Sequence, residues 1–334
     1  MAIDKLPFTV AFADEMHPDG IALARRLFER VLLWTDEDYR RWIEEADGIC
    51  NRAKRVPSAD LLASKRLRVV SKQGVGVDTV DLKACREKNI TVCNTPGINA
   101  ERRVLFPVAE LSLGLALSLN RRISELDRRG EVNIATSVMG RSMYGKTIGL
   151  VGMGNIGRAT ADKFRAACSC SIVAYDPFAP ATAWTDDDTR SGPLAHKRVQ
   201  TIEEMLPEVD VLSLHLPLTN ETRGLVGKEF FDQMKEGAIL LNASRGGIVN
   251  EADLFEALRP GSSSPLAGAA LDALETEPPT KEAYGNTLYT LDNVLLTPHI
   301  GAATHEMQSL SARTVVEQLA SCLMGKTEGI SLVQ

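Results

Sequence analysis

The stretch "KTIGLVGMGNIG", Lys146 to Gly157, joins a run of strand character, Thr147 to Val151, directly to a glycine-punctuated helix start. Gly152, Gly154 and Gly157 stand in a G-x-G-x-x-G pattern. The first glycine permits a tight turn and the second lets a diphosphate approach the backbone. The third lets helix and strand pack closely, while the helix N-terminus attracts the anion. A glycine-rich strand-to-helix turn can also be purely structural, so its meaning depends on what surrounds it.

Downstream, "SIVAYDP" is a second strand ending in Asp176, 19 residues after Gly157. A carboxylate there accepts hydrogen bonds from an adenosine ribose and repels a 2′-phosphate, so with Pro177 next and no Arg adjacent it favours NAD over NADP. The plainer alternative is an Asp that starts a turn. The alternation then continues: helix "TIEEML", strand "VDVLSLHLP", helix "GKEFFDQM", strand "AILLNAS", helix "NEADLFEAL", strand "GAALDAL" and strand "NVLLTPH". Six strands in this order predict a complete doubly wound parallel sheet.

Ligands of such sheets bind outside the carboxyl ends of the strands. Three of those ends carry reactive side chains: Arg245 in "LLNASRGGIV", Asp272, Glu275 and Glu277 in "LDALETEPP", and His299 in "VLLTPHIGA". A guanidinium can grip a carboxylate and polarise a neighbouring carbonyl. A carboxylate bonded to one imidazole nitrogen fixes the tautomer and raises the pKa, leaving the other nitrogen to donate a proton near neutral pH. Taken alone, Arg245 reads equally well as a surface arginine on a turn.

Upstream, strand-like runs ("FTVAFA", "GIC", "LRVVSKQGVG", "NITVCNTPG") alternate with the helix-like "PDGIALARRLFERV" and "DEDYRRWIEEA", predicting a second parallel sheet. In the first of these helices Ile21, Leu23, Ala24, Leu27, Phe28 and Val31 fall on one face. "VAELSLGLALSLN", Val108 to Asn120, is apolar nearly all round and requires burial between domains or subunits. The polar "RRISELDRRGEVNIATSVMGRSMYG" that follows predicts an arm or loop. The final helical stretch, "THEMQSLSARTVVEQLASCLMG", lies beyond the second sheet and is expected to cross back to the first domain, leaving a cleft.

With 334 residues, 44% of them apolar, the chain is long enough for two cores. Its net charge of -6 and dispersed basic residues argue against nucleic-acid or anionic-membrane partners. No apolar run approaches the roughly 18 residues of a spanning helix. The N-terminus lacks the pattern of a secretory signal, so a soluble cytoplasmic protein is expected. The six cysteines include no C-x-x-C pair, only the C-x-C of Cys168 and Cys170, so reduced structural thiols and no metal site are expected.

In order, "KQGVGVDTVDL", "NTPGINA", "GKTIGLVGMGNIG", "HLPLT", "NASRGGIV", "LDALETEP" and "TPHIGAAT" resemble the D-isomer-specific 2-hydroxyacid dehydrogenase family over most of the chain beyond Lys65. The resemblance implies an α/β protein of two doubly wound parallel-sheet domains. A Rossmann NAD-binding domain, 108–303, would be inserted in a flavodoxin-like substrate domain, 1–107 and 304–334. It also implies a homodimer and an NAD-dependent oxidoreductase acting on CH–OH groups, passing a hydride between the nicotinamide and C2 of a small 2-oxo or 2-hydroxy acid.

On that resemblance, Arg245 binds the 2-oxo acid, Glu277 pairs with the imidazole and His299 is the acid/base. Asp272 contacts the nicotinamide amide, and Glu275 has no assigned role. The backbone amides of Val75 and Gly76 hold the substrate carboxylate with Lys72 close by, and Asn99 lies on the substrate side. Pro217 and Thr222 border the cofactor, as do Gly152, Gly154, Asn155, Ile156, Gly157, Asp176, Ala243, Ser244 and Gly301.

"ASRGGIVNE" and "GVGVD" resemble the phosphoglycerate dehydrogenase-like branch, making phosphoglycerate dehydrogenase itself one alternative. Others are an NAD-responsive corepressor-like protein of the same family, disfavoured by the lack of extended flanking regions, and a scaffold with a dead site, disfavoured by the intact Arg245, Glu277 and His299. Two departures stand out. "ERRVLFP", Glu101 to Pro107, intervenes between "NA" and "VAE" at the expected hinge. "RAACSCSIVAYD" lacks the family's glycine after the first cofactor-domain helix, so Ser169 or a neighbour is expected to take another geometry.

Overall fold

The computed structural model describes residues 4–74, 76–95, 106–129, 139–189 and 191–333. The chain packs as two units, Met1–Val104 with Thr304–Gln334, and Leu105–Ala303. The first division falls inside "ERRVLFP", slightly before the expected 107/108. Residues 101–105 of that segment lie outside the described residues, and Phe106 and Pro107 already belong to a helix.

In chain order the first unit contributes β1 (Leu6–Phe12), α1 (Pro18–Leu27), β2 (Phe28–Leu33), α2 (Trp42–Glu45), β3 (Gly48–Asn51), α3 (Ser58–Ala63), β4 (Val69–Lys72), α4 (Leu82–Glu87) and β5 (Thr91–Asn94). The second contains α5 (Phe106–Asn120), α6 (Ile123–Arg129), β6 (Thr147–Val151), α7 (Asn155–Cys168), β7 (Ser171–Tyr175), β8 (Lys197–Arg198) and β9 (Val211–Leu214). It continues with α8 (Lys228–Gln233), β10 (Ile239–Asn242), α9 (Glu251–Leu258), β11 (Gly268–Leu271), α10 (Lys281–Tyr284) and β12 (Val294–Leu296). The first unit then resumes with α11 (His305–Leu323) and β13 (Leu332–Val333).

The first sheet runs β13-β5-β4-β3-β1-β2, parallel except for β13, which pairs antiparallel with β5 at the edge. Its parallel strands follow the flavodoxin-like order 2-1-3-4-5. The strand β2 corrects the helix expected to run through Val31. Helix α1 ends at Leu27, and Phe28 is already extended at φ -111° and ψ 151°. No Gly or Pro marks that boundary, and the three-residue spacing of Phe28 and Val31 suits a helix as well as a strand. Parallel pairing with β1, Val10 opposite Val31, decides the conformation, and Phe28 and Leu32 are buried in it. "DEDYRRWIEEA" likewise yields only a 3-10 turn, Tyr39–Arg41, and the single helical turn α2. Helix α11 packs on α1 and on β3, β4 and β5.

The second sheet is wholly parallel, in the order β12-β11-β10-β9-β6-β7-β8. Counting from β6 this is the Rossmann order, and it reverses between β6 and β9. The short edge strand β8 adds a seventh to the six expected. "TIEEML" is a run of turns rather than a helix. Ile202, Met205 and Leu206 still bury the helix-spaced face, but Pro207 has no N–H with which to continue a helix. Helix α5 packs on α7 and on β10, β11 and β12. The polar stretch after it is not all loop: it opens with α6, and 130–138 lie outside the described residues.

Ser169 takes the glycine-type geometry itself, a left-handed C-cap at φ 52° and ψ 33°. The expectation of another geometry is therefore corrected. The capping N–H still reaches the carbonyls of Arg165 and Phe164, so the motif is kept at the cost of a strained serine. No helix among the described residues is long and apolar enough to cross a membrane.

Candidate active site

The glycine turn between β6 and α7 is built by exclusion. Gly152 has φ 109°, and a Cβ on it would lie 2.4 Å from the His215 carbonyl oxygen. A Cβ on Gly157 would lie 2.2 Å from the Gly152 oxygen. Around Gly154, by contrast, a Cβ would meet nothing within 4 Å. Gly154 is the N-cap of α7 and provides no side-chain cap. The first N–H groups of that helix, at Asn155 and Ile156, thus face an open approach, which suits the diphosphate of a dinucleotide.

Asp176 follows β7 and is half-buried. One carboxylate oxygen accepts from Met153 N at 2.9 Å, and the other from Phe178 N at 2.9 Å and Ala179 N at 3.1 Å. It therefore ties the glycine turn to the loop after β7, in addition to any ribose it meets. Sequence reasoning saw no Arg beside Asp176, yet the parallel strand β8 brings one in. The Arg198 guanidinium donates to the carbonyls of Asp176, Ala179 and Pro180 at 2.9, 2.7 and 2.8 Å. Those donors shape the loop. In the loop after β9, Thr222 Oγ1 donates to Pro217 O at 2.7 Å and accepts from Thr219 N at 2.8 Å. His215, also at the end of β9, escaped the sequence reading. Burial pushes its imidazole down to about 4, so it stays neutral beneath the glycine turn at pH 7.

At the end of β10 a buried amide organises the next loop. Asn242 Oδ1 accepts from Ser244 N at 3.1 Å and Ser244 Oγ at 2.7 Å, while Nδ2 donates to Arg245 O at 2.9 Å. Ala243, Ser244 and Arg245 are thereby fixed as they leave the sheet. The sequence signal for Asn242 was a polar residue closing an otherwise apolar strand. Arg245 is half-buried, and its Nη1 donates to Ser244 O at 2.7 Å. Gly246 follows because a Cβ there would sit 1.8 Å from the Leu274 carbonyl oxygen. The loops after β10 and β11 touch at this glycine.

Beyond β11, Asp272 is buried, and three protein donors reach its carboxylate. Its Oδ1 accepts from Thr297 Oγ1 at 2.7 Å and from Ile300 N at 2.8 Å, and its Oδ2 accepts from Gly301 N at 2.8 Å. It thus holds the turn after β12 from below. That turn carries His299 at φ 54°, a left-handed conformation that costs a non-glycine residue energy and persists only where its surroundings enforce it. Gly301 is crowded, with a Cβ there 3.1 Å from Asp272 Oδ2.

His299 Nδ1 lies 3.1 and 3.0 Å from the two carboxylate oxygens of Glu277. The hydrogen bond to Glu277 outweighs burial and raises the imidazole pKa, with the charges of Glu277 and Asp272 adding and Arg245 opposing. Burial works to raise the Glu277 carboxyl. The bonds from His299 and from Leu274 N prevail, together with the charges of His299 and Arg245, and hold it below the ordinary range. Glu275 is exposed, and its N–H is bound by Glu251.

In the first unit, Lys72 ends β4 with its ammonium turned onto the carbonyls of Arg52 and Gln73 at 2.5 and 2.6 Å. Gly76 is half-buried in the loop that follows. Val75 and Asn99, also expected at the substrate, lie outside the described residues.

Comparison with known proteins matches residues 113–301 to the model of the D-isomer specific 2-hydroxyacid dehydrogenase, NAD binding domain. The chain is 34% identical over 323 residues to a D-3-phosphoglycerate dehydrogenase of Methanocaldococcus jannaschii, covering 95% of this chain but 58% of that relative. It is 36% identical over 290 residues to a hydroxypyruvate reductase of Thermotoga maritima, covering 85% and 87% of the two chains. A solved Thermus thermophilus structure superposes with TM-score 0.80 at 34% identity, over 97% of this chain and 100% of that one. The chain therefore spans little more than half the length of the phosphoglycerate dehydrogenase and nearly all of the reductase. The chain belongs to the D-isomer specific 2-hydroxyacid dehydrogenase family, and its second unit carries that family's NAD binding domain.

Proposed function

We propose that the protein is an NAD-dependent D-2-hydroxyacid dehydrogenase acting as a reductase of a small 2-oxo acid. The observation that carries this reading is the His299–Glu277 pair, set at a strand end of the sheet that bears the glycine turn and Asp176. NAD, held by the α7 N-terminus and Asp176, supplies the hydride chemistry when bound. His299 donates its Nε2 proton to the carbonyl oxygen of the substrate and recovers it in the oxidative direction. Glu277 stabilises the imidazolium and fixes the tautomer in which Nδ1 carries a proton. Arg245 binds the substrate carboxylate and polarises the reacting carbonyl. On the family resemblance Lys72 and Gly76, with Val75 and Asn99, are the further residues assigned to the substrate. Asp272 acts by anchoring the His299 turn, a role its three hydrogen bonds support more directly than contact with the nicotinamide amide.

The same reading makes the protein a cytoplasmic homodimer. In support, α5 is apolar on nearly all sides, and Leu111, Leu113, Leu117 and Leu119 remain only partly buried in the single chain. The test is NADH oxidation against glyoxylate, hydroxypyruvate, pyruvate, phenylpyruvate and phosphohydroxypyruvate, with chiral analysis of the product. A D-2-hydroxy acid from at least one substrate is expected. Inactivity across the panel, with NADH still bound, contradicts the reading and favours a binding protein of the same family.

A further inference from the structure

The segment Leu274 to Glu277 has no regular secondary structure, yet side chains bind three of its N–H groups in succession. Leu274 N donates to Glu277 Oε1 at 3.0 Å, Glu275 N to Glu251 Oε1 at 2.8 Å, and Thr276 N to the Tyr284 hydroxyl at 2.9 Å. Two of those acceptors come from outside the segment. Glu251 is the first residue of α9 and Tyr284 the last of α10. The helix does not need Glu251 as its cap, because Asn250 already accepts from Asp253 N at 3.1 Å. Tyr284 is 5% exposed, and its ring meets Tyr289 edge-on at 6.3 Å, so its hydroxyl is aimed by a packed ring. From the other side Gly246 closes on the Leu274 carbonyl.

We propose that Glu251 and Tyr284 are positioning residues for the proton-donating pair: they pin the 275–276 backbone and so hold the Glu277 carboxylate against the His299 imidazole. This rests on the acid/base reading of His299 given above. The arrangement has a cost. Burial raises the Glu251 carboxyl, and the charges of Glu275 and Glu277 raise it further. A carboxylate set near two others is unfavourable unless its hydrogen bonds return the energy. The bond from Glu275 N works against that rise without cancelling it, and what Glu251 gains the protein is the fixed backbone at Glu275. The groups facing Glu251 are Glu275, Glu277 and Tyr284, and those facing His299 are Glu277, Asp272 and Arg245.

The test is an NMR titration of the full-length protein with labelled histidines, the His299 signal being identified by its loss in His299→Gln. It is run on wild type, Tyr284→Phe, Glu251→Ala and Glu251→Gln, beside kcat and the NADH Kd. In Tyr284→Phe and Glu251→Ala the His299 midpoint is expected to move down toward the ordinary histidine value. In these variants kcat should fall about tenfold, a part of the usual general acid/base contribution, while the NADH Kd stays within about twofold. Glu251→Gln keeps an acceptor oxygen for Glu275 N and is expected to stay nearer wild type than Glu251→Ala. An unmoved midpoint in both Tyr284→Phe and Glu251→Ala overturns the proposal while leaving the acid/base reading intact. A wild-type midpoint that is not raised overturns the pairing itself, and with it the reading on which the proposal rests.

Discussion

His299 presents Nδ1 to both oxygens of Glu277, at 3.0 and 3.1 Å, from a backbone held in the left-handed region. The bidentate contact leaves Nε2 as the one ring nitrogen free of Glu277. It also sets the pH behaviour of the pair. The His299 pKa is raised, so its stabilising contribution is fully present below the unfolded value of about 6.5 and is lost as pH rises through the folded value. The Glu277 pKa is lowered, so its contribution is present above the unfolded value of about 4.5 and is lost as pH falls through the folded value. The pair stabilises the fold most between those two unfolded values. It retains a protonated imidazole into the range where an unpaired histidine has lost its proton.

Glu277→Gln removes the charge and keeps the shape. The basic limb of kcat/KM for 2-oxo acid reduction should move to lower pH, toward the ordinary histidine value, because the imidazolium loses its partner. A pH profile from 5 to 10 (a range of about five units, spanning the ordinary histidine and lysine values) reads this directly. A limb that does not move shows that Glu277 leaves the proton donor unaffected.

Asp272→Ala should damage the site through the fold. Three donors, Thr297 Oγ1, Ile300 N and Gly301 N, lose a buried acceptor, and of the three only Gly301 is itself buried. Stranded buried donors cost about 1–3 kcal/mol each, with water offsetting some of it. A loss of about 2–4 kcal/mol in urea unfolding is expected, on the order of one or two such groups, and turnover should fall because His299 rides on the same turn.

Ser169→Gly should stabilise the protein. Serine pays about 1–2 kcal/mol to stand at φ 52° where glycine pays almost nothing, so a gain of up to about 1 kcal/mol remains after glycine's larger unfolded-state entropy. Ser169 lies at the far end of α7 from the glycine turn, so NADH affinity should not change. Thermal unfolding with and without NADH checks both parts.

The second unit was the more legible in sequence because its signals are local. A strand-glycine-helix junction, an Asp at fixed spacing and reactive residues just past apolar runs each need only a short window. Strand β2 was not legible, because Phe28 and Val31 satisfy helical spacing and only pairing with β1 decides between the two conformations. Arg198 was missed for the same reason: 22 residues separate it from Asp176, and the two-residue strand β8 joins them. The anchoring role of Asp272 was hidden because two of its three partners, Ile300 N and Gly301 N, are backbone groups, which carry no letter in a sequence. Asn242 acts on Ser244 and Arg245 only two and three residues on, and the polar close of "AILLN" hinted at it, whereas the Tyr284 hydroxyl binds a backbone N–H that no letter marks.

The central claim is that His299 moves the proton and that the glycine turn and Asp176 hold the cofactor independently of it. The decisive measurement compares His299→Ala with wild type, taking turnover with the best 2-oxo acid of the panel beside the NADH dissociation constant. General acid/base catalysis contributes about a hundredfold to ten-thousandfold, so kcat should fall by that order while NADH binding stays within about twofold. Turnover equal to wild type, with NADH bound as before, contradicts the account.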